Sequence, residues 1–183
     1  MGELIDLRQG RRQVAARRGF STWNQRFGQA FNERTSPGDL PDTVLLQLIQ
    51  RDQAGGAIER LVLGILGSDR QSLSHEVDPA ARMAVLDITL FVLDQLRFEA
   101  MRRLGWVVEP PLTATPLLGM VEDFQSRYAA VRHRTPALAA DHPGYRDYLQ
   151  TFEADRGAFI RRLTPQAMEA FEQRVHQEIP PTG

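Results

Sequence analysis

Apolar positions between Pro79 and Leu104 do not keep to one stripe. At about 100° per residue, Met83, Leu86, Ile88, Phe91, Val92, Leu96 and Met101 reach every quarter of a helical circumference, and a helix apolar all round has to be surrounded. Asp78 before Pro79 supplies an N-cap and a first-turn proline, and Gly105 stands where a left-handed C-terminal cap belongs. The pattern predicts a buried central helix over about residues 79–104, around which the chain is organised.

On the N-terminal side, Phe20, Trp23, Phe27 and Phe31 fall on one helical face with Ser21 as its cap, while residues 1–18 carry only a thin pattern broken by Arg11 and Arg18. Those eighteen residues are expected to form a loosely held arm. Thr35-Ser36-Pro37-Gly38-Asp39 is a turn cluster. It divides the chain into a basic, aromatic arm or docking helix over 1–36 and a bundle core over 37–183. In the core, Val44 to Ile49 and Ile58 to Ile65 read as two short helices closing at Gly67, a helical hairpin. Trp106 to Pro111 cannot stay helical and reads as an extended strap. Thr115-Pro116 opens a helix with the stripe Leu117, Val121, Phe124, Tyr128 and Val131. Tyr145 to Leu163 reads as one long helix, and Thr164-Pro165 opens the last, with Met168, Phe171, Val175 and Ile179 inward. No strand alternation and no repeat is visible. The fold predicted is an all-α, single-domain bundle of six or seven helices.

Composition narrows the class. A formal charge of −1 gives no general attraction to nucleic acid or to an anionic membrane. Asp87, Asp94, Arg97 and Glu99 interrupt the most apolar stretch, which speaks against a membrane span. With no cysteine, disulfides and thiolate metal sites are impossible, in keeping with a cytoplasmic location. Residues 1–12 hold no apolar run of the kind a signal peptide needs. Every one of the 22 basic residues is Arg, which reads as codon bias of a GC-rich, bacterial genome. Residues 1–34 hold seven Arg against three carboxylates, a local +4.

Candidate chemistry centres on two carboxylates in apolar company. Asp87 and Asp94 lie about 20° apart around the helix and about 10.5 Å along it, too far to share one metal ion. Each needs a cation or a raised pKa if buried. Arg156 interrupts the apolar stripe of the 145–163 segment and is expected to meet one of them, with Arg97 as the local competitor of Asp94. A register-fixing salt bridge is favoured over a ligand site. Glu172 and His176 have metal-ligand spacing but no second pair to complete a site. Interleaved Arg and aromatic residues near the N-terminus could grip nucleic acid, yet four rings on one face suit burial against protein better than base stacking. No phosphate loop, nucleophile elbow or zinc-protease motif occurs, and no cofactor is called for. The expectation is a non-enzymatic protein-interaction module, a homodimer in which Phe20, Trp23, Phe27 and Phe31 contribute to the contact. The alternative is a small-ligand or metal-binding bundle using Asp87, Asp94, Arg97 and Arg156.

Overall fold

The computed structural model describes residues 7–50, 54–68 and 79–178. Among the described residues eight α-helices carry the fold: α1 Leu7–Phe27, α2 Asp42–Ile49, α3 Ala54–Leu66, α4 Pro79–Arg103, α5 Leu117–Glu122, α6 Phe124–Val131, α7 Tyr145–Gln150 and α8 Arg156–Glu178. The expected all-α class is what the chain adopts. The strap after α4 forms β1, Val107–Val108, and pairs antiparallel with β2, Ala137–Leu138, Val107 opposite Leu138. No described helix is long and apolar enough to cross a membrane.

α1 is not an arm. It is helical from Leu7, running through Gly10 and Ser21, whose hydroxyl returns a bond to the Arg18 carbonyl rather than capping a new start. Phe20 and Trp23 are fully buried, Phe31 is buried and Phe27 packs against the same core. The Trp23 ring stands edge-on to Phe20, Phe27 and Phe31 at 5.5, 6.2 and 5.8 Å, and its indole N–H donates to the Ala57 carbonyl of α3 at 3.0 Å. Two glycines let α1 and α3 come this close. A β-carbon on Gly64 would stand 2.8 Å from the Gly19 α-carbon, so backbone meets backbone where any larger residue would part the helices.

α4 divides in two. From Phe91 to Met101 it is surrounded, with Val92, Leu96, Ala100 and Met101 wholly inaccessible. Its first turns are not, for Met83, Leu86 and Leu90 are 55%, 47% and 49% exposed. The prediction of a helix buried along its length therefore fails over the N-terminal half, because α2, α3, α5 and α8 cover only part of its surface. Gly105 ends the helix as expected, at φ 75°, with Gly105 N–H donating to Arg102 and Trp106 N–H to Met101. Asp78, the first six residues and the segment around His75 lie outside the described residues.

Three helix boundaries differ from the pattern. The 117–131 helix breaks at Asp123 into α5 and α6. The 145–163 helix stops at Thr151, which turns extended (ψ 134°) with its hydroxyl and amide both returned to the Asp147 carbonyl, leaving Phe152 in solvent. Most notably, Thr164-Pro165 starts nothing, since α8 runs straight through Pro165. A mid-helix proline costs about 3 kcal/mol. Packing on both sides offsets it: Ile160 and Ala167 are buried against Phe98, Met101 and Tyr148, while Phe171 and Val175 are buried in the main core.

Candidate functional site

The interior ion pair expected near Asp87 and Asp94 is found elsewhere on α4. Glu99 is completely inaccessible. Its carboxylate accepts two bonds from Arg102 (2.8 and 2.7 Å), one from Arg103 Nε (2.7 Å) and one from the Thr113 hydroxyl (3.1 Å). Burial pushes this carboxyl up, but the bonds and charges of the two guanidinium groups outweigh it and hold the pKa below the ordinary 4.5. Arg103 spends all five N–H donors: besides Glu99, it reaches the Asp42 carboxylate and the carbonyls of Leu40, Pro37 and Gly38. Arg174 of α8 closes the set by donating to Asp42 and to the Arg103 carbonyl. The network ties the 37–42 turn to α4 and α8. Glu99 and Arg103 are fully used in it, so we read it as a clamp, although on its α8 side Arg174 Nε is buried without a hydrogen-bond acceptor.

Asp94 and Arg97 lie less than two turns earlier and differ in every respect. They approach only to 3.7 Å, beyond hydrogen-bond range, with the Asp94 side chain 42% exposed. Enclosure raises the Asp94 pKa above its ordinary value, and the charges of Arg97 and Arg161 pull against that shift without cancelling it. Arg97 Nε is buried with no acceptor. Asp94 and Arg161 line two adjacent clefts. The first, about 480 Å³, lies between α2, α4 and α8, with Arg97, Thr164, Pro165, Glu169 and Glu172 on its walls. The second, about 560 Å³, opens between α4 and α6 over Phe91, Phe124 and Tyr128.

Of the sequence-predicted residues, Asp94 and Arg97 are together. Asp87 is exposed on the rim of the second cleft. Arg156 is a correction: it opens α8 and stacks over the Tyr148 ring at 5.2 Å, away from both aspartates, because the cation level with Asp94 is Arg161, five residues further along α8. Glu172 accepts a bond from the Gln50 amide at 3.1 Å and His176 is exposed. Among the described residues no three His, Asp or Glu side chains converge as metal ligands. The aromatic quartet Phe20, Trp23, Phe27 and Phe31 packs on the chain's own core, with Phe27 alone partly exposed.

No family model, characterised protein or solved structure matches this chain.

Arg161, Glu99 and Arg103 were missed by sequence reasoning. The signal for the last two was present, since Glu99 has Arg102 and Arg103 at i+3 and i+4. Arg161 was hidden by the supposed helix start at Thr164. Once α8 is read through Pro165, Arg161, Thr164, Pro165, Met168, Glu169 and Glu172 share one face.

Proposed function

We propose that the chain is a non-enzymatic interaction module that self-associates through the first half of α4, in the cytoplasm of a bacterium. The observation that carries this is the exposed row Met83, Leu86 and Leu90, spaced i, i+3, i+7 on one side of a helix whose other turns are buried. Such a row is the pattern by which one helix docks on another. It borders the second cleft, where Phe91 packs edge-on against Phe124 and Tyr128 at 5.4 and 5.9 Å, and Tyr128 remains half exposed. Partly exposed aromatic rings beside an aliphatic row are the composition of an interface core.

The occupant we assign is a second copy of the chain. Asp87 stands on the α4 wall of the cleft, and Arg132 and Arg134 stand on the wall that follows α6. A surface with both signs side by side becomes self-complementary across a twofold axis, acid wall against basic wall. The absence of cysteine and of lysine is in keeping with a reducing compartment and a GC-rich genome.

Light scattering coupled to size exclusion tests the reading. The wild-type chain is expected at twice the monomer mass and the Leu86→Glu, Leu90→Glu double variant at the monomer mass with unchanged helicity, since both side chains are half in solvent already. A wild-type chain that stays monomeric at high micromolar concentration would overturn it.

A further inference from the structure

The first cleft makes a second, independent case. Its two ends carry opposite and uncompensated charge. At one end two guanidinium groups face a single carboxylate, Asp94, Arg97 at 3.7 Å and Arg161 beyond ion-pair distance but near enough for its charge to act on it, and Arg97 Nε is buried without an acceptor. The arrangement lacks an anion there. At the other end Glu169 and Glu172 lie on the same face of α8, and Glu172 takes the neutral amide of Gln50 at 3.1 Å. That end lacks a cation. Between them the walls are apolar, supplied by Leu46, Ile49, Pro165 and Met168.

From these charges and this shape, we propose that the cleft binds a small dipolar molecule of the amino-carboxylic acid class, with its carboxylate at Arg97 and Arg161, its ammonium at Glu169 and Glu172, and an aliphatic body against Met168 and Ile49. The volume of about 480 Å³ is that of a small-molecule site. Arg161 and Glu169 are eight residues apart, about 12 Å along α8. The reach of both side chains shortens this to a span of several methylenes, so the two charges of the ligand sit at opposite ends of a chain and not on neighbouring carbons. A planar guanidinium with free N–H groups grips a carboxylate with two parallel bonds, and the Thr164 hydroxyl on the same wall adds a third donor. An ammonium, with three donors and no acceptor, suits the paired glutamates.

Calorimetric titration of the full chain with 6-aminohexanoate, hexanoate and hexylamine as probes tests the assignment. The dipolar probe is expected to bind saturably, and each half-probe at least about tenfold more weakly, because each leaves one end unpaired. Arg161→Gln is expected to remove the advantage over hexylamine, and Glu169→Gln the advantage over hexanoate. Both side chains are exposed and outside the Glu99 clamp, so each variant keeps the wild-type melting temperature. The monomeric Leu86→Glu, Leu90→Glu variant is expected to bind like wild type, which separates this site from the self-association surface. Absence of saturable binding, equal affinity for hexanoate, or indifference to both the Arg161 and the Glu169 substitution would overturn the proposal.

Discussion

Two sets of charges sit within two turns of each other on α4, and they have been treated in opposite ways. Around Glu99 every oxygen is occupied, the geometry is short and direct, and the carboxylate itself is inaccessible. Around Asp94 the nearest guanidinium stands off at 3.7 Å, one of its nitrogens has no partner, and a cleft opens on either side. Buried charge is tolerated only when fully paired. At Glu99 and Arg103 the first set obeys that rule, and it belongs to the architecture. The second leaves it partly unmet where a cleft lets solvent or a ligand enter.

The contrast can be broken most severely at Glu99. Removing its charge by Glu99→Gln strands Arg102 and Arg103 against one another, and the expected loss is about 3–5 kcal/mol in denaturant unfolding. A loss below 1 kcal/mol, within the range of a surface pair, would dissolve the distinction. Next comes Arg103→Lys, which keeps the charge but replaces five fixed donors with three on one nitrogen. Loss of the bonds to Pro37, Gly38 and Leu40 is expected to cost roughly 2 kcal/mol in the same measurement.

The two sets also respond to acid with opposite sign. Glu99 titrates below 4.5 in the folded chain, so the unfolded state binds the extra proton; its contribution is present above that value and is lost as pH falls through the depressed one. Asp94 titrates above 3.8 when folded, so its ionised form costs stability at neutral pH and acid relieves that cost. Comparing melting temperatures at neutral and acidic pH, Glu99→Gln should flatten the acid-induced fall. The smallest effect is at Asp94→Asn, expected to raise stability at neutral pH by under about 0.5 kcal/mol after screening of a half-exposed group. A clear destabilisation there would mean the carboxylate is as well paired as Glu99.

The fold class was legible because helical periodicity and its terminators are local. The turn at 35–39, the caps at Gly67 and Gly105 and the bend of the strap after Trp106 follow from residues within a few positions. What the chain does at Pro165 is not local, for the proline is tolerated only because Ala167 and Phe171 beyond it are held by partners from α2, α4 and the β1 region. The same limit governed the candidate site. Asp94 and Arg97 share a helix and were found together, whereas Arg161 depended on the register of α8 and Arg156 was chosen in its place. For α1, one apolar face could be read, but whether that face met the chain itself or another copy depended on Gly19 meeting Gly64, two positions with no side chain to announce the contact.

Pro165 has a consequence for the cleft it lines. Lacking an amide hydrogen, it cannot bond the carbonyl four residues back, and that carbonyl belongs to Arg161. The interruption in the backbone ladder therefore falls at the very residue whose guanidinium lines both clefts, so the helix is least tightly laddered where the two clefts meet.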